Sequence, residues 1–152
     1  MLATLIDHMA WADARTHASI AAMPESAARG RAVSIFAHIV AIEHAWLARF
    51  EQRTAEHAQW PEWSLEAASA LATSSAAGLH SIATAAGSEG LNDPITYRTR
   101  TGAEGQNALW EILMHIVQHG TYHRGQIALL VREGGGVPAS TDFSTYLRER
   151  DG

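Results

Sequence analysis

Apolar residues recur at helical spacing along four long stretches of this 152-residue chain, each bounded by proline, glycine or turn residues. The first runs from Leu2 to Met23, with Leu2, Leu5, Ile6, Met9 and Ala10 on one side and Pro24 after it. The second spans Arg31 to Gln52, with Ile35, Ile39, Ile42, Trp46 and Phe50 on one stripe. Trp60-Pro61-Glu62 breaks the pattern, and Ser64 offers an N-cap for a third helix reaching Ala86. That helix is rich in alanine and serine, with a weak apolar face of Leu65, Ala68, Leu79 and Ile82. The fourth starts near Gln106 and continues to Glu133, where Gly134-Gly135-Gly136 and Pro138 stop it. Such a pattern predicts an all-α fold, a four-helix bundle in a single domain over residues 1–152. Between helices three and four, Gly87 to Gly105 reads differently. Asn92-Asp93-Pro94 is turn chemistry and Ile95 to Thr101 alternates, so a short hairpin or extended arm is expected there. A small C-terminal helix is expected over Asp142 to Arg148.

Composition removes several functions. The chain has no cysteine, which excludes disulfides, thiolate metal sites and a cysteine nucleophile together. Any thiol chemistry must use a separate small molecule, and any metal must be held by nitrogen or oxygen. The net charge is −5 and every basic residue is arginine. Arg98, Arg100, Arg148 and Arg150 form no long basic stripe with interleaved aromatics, so no nucleic-acid partner is expected. No unbroken apolar run approaches the roughly 18–20 residues of a bilayer span. Asp7, His8 and Asp13 interrupt the N-terminal apolar positions where a secretory signal would be continuous. No membrane association and a cytoplasmic location are the expectation.

The histidines carry more information. The apolar stripe of helix four follows Leu109, Ile112 and Ile116, passes through His119 and His123, and resumes at Ile127 and Leu130. Spacing of i, i+4 places both imidazoles on one helix face, where they can meet a single ion. His115 lies one turn earlier, toward the edge of that face. On helix two, His38 falls inside the stripe of Ile35, Ile39 and Ile42, whereas His44 lies on another face between Ala41 and Ala48. A histidine pair at this spacing arises by chance in many helices, and a lone core histidine usually bonds a backbone group. Three on two facing stripes are harder to dismiss. Burying each without a partner would cost about 2 kcal/mol or more, which a shared metal in the bundle interior would relieve.

Other polar residues give weaker signals. Arg124, beside His123, reads as a surface residue. Asp7, Asp13 and Glu43 read as helix-surface charges, with orientation of a ligand histidine as their alternative role. Gly120 and Gly125 sit inside helix four, where each costs about 1 kcal/mol relative to alanine. Close packing and substrate access explain them equally well. Trp11, Trp46, Trp60, Trp63 and Trp110 suit core or subunit contacts, or a pocket lining, and Tyr97 on the arm could overhang the site.

The segment His119-Gly-Thr-Tyr-His123-Arg124-Gly125-Gln126-Ile127, with Leu129-Leu130 and Gly134, resembles the C-terminal motif of the DinB/YfiT-like family. So do Leu5 to Arg15 with its Trp11-Ala-Asp13-Ala-Arg15, and Ala37-His38-Ile39-Val40 leading to Glu43 and Trp46-Leu47. The tail, Thr141-Asp142-Phe143 to Tyr146-Leu147, fits as well. This resemblance covers nearly the whole chain in order. It implies a four-helix bundle, commonly a homodimer, with a divalent metal on three histidines at positions matching His38, His119 and His123. Members of that family include thiol-dependent transferases and isomerases, and many proteins with no known activity.

Three imidazoles would leave open positions on the ion, as catalytic sites do. Zinc and nickel both suit the donors. The expectation is a metal-dependent enzyme, favoured as a transferase using a low-molecular-weight thiol, with a metal-dependent hydrolase as its close competitor. The alternative is a non-catalytic stress or structural protein whose ion fastens helix two to helix four. That reading requires a fourth protein ligand, for which His8, His115 and Glu43 are the candidates. No catalytic acid or base can be named.

Overall fold

The computed structural model describes residues 1–99 and 101–152, so Arg100, at the end of the alternating stretch, lies outside the described residues. The helices are α1 (Leu2–Ala21), α2 (Ala27–Phe50), α3 (Leu65–Ala85), α4 (Leu109–Glu133) and α5 (Phe143–Asp151). A 3-10 turn over Gly90–Asn92 precedes β1 (Pro94–Arg98) and β2 (Glu104–Ala108). The all-α bundle with an extended arm and a C-terminal helix is therefore the fold observed.

Capping explains where the helices differ from the apolar pattern. α2 begins four residues before Arg31, because the Ser26 hydroxyl accepts the Arg29 N–H at 3.1 Å. Ser64 caps α3 as expected, accepting the Ala67 N–H at 3.1 Å. α4 starts later than Gln106, since Gln106 to Ala108 belong to β2. There the antiparallel register pairs Ile95 with Asn107 and Tyr97 with Gly105. The Glu111 carboxylate accepts the Ala108 N–H at 2.9 Å and so closes the start of α4.

α1 and α2 each pack on both α3 and α4 and lie diagonally across the bundle from each other. Although no unbroken apolar run reaches the length of a bilayer span, α2 contains a stretch long and apolar enough on average to cross one. More than half of that stretch is buried against the other helices, the pattern of a core helix. The tail docks on α1: Arg15 donates to the Ser140 carbonyl at 3.0 Å, Trp11 donates to Glu149, and Tyr146 packs on His8 and Trp11.

The core divides into two apolar clusters. One contains Ile6, Met9, Leu47, Leu79, Leu113 and Ile116, and the other Ile20, Phe36, Ile39, Leu65, Ile127 and Val131. Between them lies a polar layer with one residue from each of α1 to α4: Asp13, Glu43, Ser75 and Arg124. Asp13, Glu43 and Arg124 are 2%, 1% and 3% exposed, so none is a surface charge. Arg124 Nη1 donates to Asp13 Oδ1 at 2.8 Å and Nη2 to the Thr121 hydroxyl at 3.1 Å. A charge this deeply buried needs such partners, and the pair supplies them at Asp13 Oδ1 and Arg124 Nη1 while Asp13 Oδ2 and Arg124 Nε have none.

The two glycines of α4 have different causes. A Cβ on Gly120 would stand 2.8 Å from Arg124 Nη1, so this glycine makes room for the guanidinium. A Cβ on Gly125 would meet nothing within 4 Å, so packing does not require that glycine. Gly125→Ala should therefore stabilise the fold by about 1 kcal/mol. Gly120→Ala should destabilise it by about 1–3 kcal/mol through displacement of Arg124. Urea midpoints at constant slope measure both, and equal shifts for the two variants would contradict the assignment.

Candidate metal centre

His38 comes from the middle of α2, and His119 and His123 from successive turns of α4. Their ligand nitrogens all lie within 4.8 Å of one another. His119 Nε2 is 3.2 Å from His38 Nε2. Nitrogens bound at about 2.0–2.1 Å to a tetrahedral ion stand about 3.3 Å apart, so this spacing suits a shared metal.

The ring orientations fit the same purpose. His38 Nδ1 donates to the Gln59 carbonyl at 2.7 Å, which leaves Nε2 as the free lone pair. His123 Nδ1 donates to Gln126 Oε1 at 2.8 Å, with the same consequence. His119 Nδ1 is buried without a partner, so no hydrogen bond at that nitrogen orients this ring. Burial lowers the pKa of His38, opposed by its bond to Gln59. Burial, with His123 and His38 alongside, pushes His119 down to about 4. Both are neutral at pH 7, the form that binds metal. The site could therefore hold a metal ion.

Its location differs from the expected bundle interior. His38 is buried, but His119 and His123 are half-buried at the edge of the α2–α4 seam. The centre of the buried face of α4 runs instead through Leu113, Val117, Gly120, Arg124 and Val131. Trp60, on the segment after α2, closes the outer side. Its ring stacks on His38 at 3.9 Å with an interplanar angle of 3°, while remaining 52% exposed. Tyr122 packs edge-on against His123 at 5.0 Å.

The remaining candidates sit elsewhere. His8 Nε2 donates to the Thr141 carbonyl at 2.8 Å, within the α1–α5 contact. His115 is exposed on α4, its ring 5.9 Å from that of His119, and stays outside the three-nitrogen group. Asp7 accepts from His80 Nδ1 at 2.7 Å and touches no ligand candidate through that bond. Tyr97 does not overhang the histidines: its ring packs on Trp46 and its hydroxyl donates to Asn107. Trp110 is exposed, Trp63 is half-buried, and Trp46 belongs to the core.

A model of the DinB family matches residues 1–151 of this chain. The chain belongs to the DinB family. Protein DinB of Bacillus subtilis (strain 168) is 39% identical over 59 residues, a stretch covering 39% of this chain. It spans only 34% of that protein. No solved structure matches the chain.

The residues that sequence reasoning missed are Asp13, Glu43 and Arg124. Burial raises both carboxyls above the ordinary range, at Asp13 against the pull of Arg124 and at Glu43 with the Asp13 charge adding to it. Taken as carboxylates, Glu43 Oε1, Glu43 Oε2 and Asp13 Oδ2 would all lack a donor. A proton shared between Glu43 and Asp13 would ease that conflict, and the stronger upward push at Glu43 favours holding it there while Asp13 pairs with Arg124. In the unfolded chain Glu43 ionises above its ordinary value of 4.5. The folded state then binds the extra proton, so this residue's contribution to stability falls as pH rises from there toward the folded pKa. Thermal unfolding of chelator-treated protein should show Glu43→Gln gaining on wild type as pH rises above 4.5. Parallel curves for the two would contradict a protonated Glu43.

Proposed function

We propose that this DinB-family chain is a divalent-metal-dependent enzyme whose ion is held by His38, His119 and His123. The observation that carries this reading is a donor group of three histidines without a fourth protein ligand among the described residues. A staple between α2 and α4 would be closed by such a ligand, and His8, His115 and Glu43 are all engaged or placed elsewhere. Zinc and nickel both suit three imidazoles.

A bound ion would supply Lewis acidity, lowering the pKa of a water or thiol brought to it. Gln59 and Gln126 fix two of the rings, and Trp60 keeps water from one side of the centre. No carboxylate belongs to the donor group, and Asp13 and Glu43 are committed to the polar layer. With no general base at hand, the favoured nucleophile is one the metal alone can ionise. A thiol, with a free pKa of about 8.5, meets that demand more readily than water at 15.7. This favours transfer to or from a low-molecular-weight thiol over hydrolysis, and the chain's lack of cysteine makes the thiol a separate molecule. We also propose a cytoplasmic homodimer that binds neither nucleic acid nor membrane. The dimer rests on the family resemblance and on the groove of about 760 Å³ between α1 and α3, lined by Ala10, Ala14, Ala72 and Ala76.

Elemental mass spectrometry of untagged protein should find about one zinc or nickel per chain, and none in the His119→Ala/His123→Ala variant. Adding zinc at about 100 times its Kd to metal-free wild type should raise Tm by about 5–10 °C. Metal-free wild type whose melting is unchanged by zinc or nickel would overturn the site. In cobalt-substituted protein, an added small thiol should produce a thiolate-to-cobalt charge-transfer band. Its absence, with the visible cobalt bands still sensitive to water-derived ligands, would favour hydrolysis.

A further inference from the structure

The segment that closes the centre reaches it by an unusual route. α2 ends at Phe50, and Gln52 takes a left-handed conformation with φ 57, which residues other than glycine seldom adopt. The Gln52 N–H bonds the Arg49 carbonyl at 3.0 Å and the Arg53 N–H bonds that of Ala48 at 2.7 Å. These bonds turn the chain back along the outward face of α2. Going down that face, His57 meets His44 and Gln59 then meets His38.

Apolar packing does not hold this returning segment over its length. A cavity of about 280 Å³ remains beneath it, lined by Ile42, Ala45, Arg49, His57 and Gln59 among others. The polar contact at His57 is what ties its middle to the helix. His57 Nδ1 donates to the Ala58 carbonyl at 3.0 Å, so the lone pair of neutral His57 is on Nε2. That nitrogen is 2.9 Å from His44 Nδ1, which donates to it. The Trp63 ring braces His57 edge-on at 5.0 Å. Two residues beyond His57, the Gln59 carbonyl takes the proton of His38 Nδ1, and Trp60 stacks on the same ring.

We propose that His44 and His57 form a latch that positions Gln59 and Trp60 over His38, and thereby sets how tightly the centre holds its ion. Neither histidine is a ligand; both act through the backbone between residues 57 and 60. The inference rests on the metal reading above, since without an ion the latch would only order a surface segment. Partners that orient a ligand histidine typically change metal affinity by 10–100-fold when lost.

The test is zinc affinity by competition with a chromophoric chelator at pH 7.5, beside amide hydrogen exchange of residues 53–60 in metal-free protein. His44→Ala and His57→Ala should each weaken zinc binding about 10-fold. The double variant should weaken it no further, because both substitutions remove one bond. His57→Gln, which keeps an acceptor near the Nε2 position, should restore affinity to within about threefold of wild type. Exchange of the segment should be faster in both alanine variants and near wild type in His57→Gln. Alanine variants that bind zinc as tightly as wild type overturn the inference and leave the metal reading intact. Wild type that binds no zinc overturns the metal reading and the affinity claim with it. Unchanged exchange in the alanine variants overturns the latch itself.

Discussion

The ion pair between Asp13 and Arg124, sealed between two apolar clusters, is the contact on which the arrangement of this bundle depends. Apolar surfaces of helices can slide past one another by a turn and still bury comparable area. A charged pair in the core cannot, because a one-turn shift would leave two uncompensated charges in a low-dielectric interior. Arg124 bonds Asp13 at 2.8 Å, and Glu43 from α2 is buried in the same layer. α1 and α4 are thereby held to one register, and Gly120 provides the space for the guanidinium.

That register decides what faces what at the edge of the α2–α4 seam. Arg124 follows His123 directly on α4, and Glu43 lies five residues after His38 on α2. Fixing Arg124 and Glu43 in the same layer therefore also fixes the height at which the histidines meet. The packing of α2 on α4 brings His119 within 3.2 Å of His38.

Much of this was legible in the sequence, and the part that was not has one physical cause. The four helices, the Ser64 cap, the arm and the convergence of His38, His119 and His123 all follow from spacing. The polar layer does not, because charge is normally evidence of exposure, and Asp13, Glu43 and Arg124 were assigned to the surface on that ground. Two signals pointed the other way. Gly120 precedes Arg124 by one turn on the same face, where a glycine makes space for a large side chain. Glu43 shares its face of α2 with Ile39, Trp46 and Leu47, and is 1% exposed. Reading His119 and His123 as replacements for core residues also rotated the expected buried face of α4 away from Leu113, Val117 and Val131, which form it. The course of the segment after α2 had no sequence signal at all, since a left-handed Gln52 is indistinguishable from any other polar residue at a helix end.

The placement of the histidines at the bundle edge, rather than at its centre, bears on what an ion there would do. Centres buried among helices are closed by packing and tie stability to the metal. Here the helices are registered by Asp13 and Arg124, and the outer side of the histidines is covered by a half-exposed tryptophan on a segment held by polar contacts. Stability and access are thus assigned to different parts of the molecule. Under the proposed function, the core keeps the histidines spaced while the segment over them bounds what can approach, a division of labour that suits a reactive centre more than a structural staple.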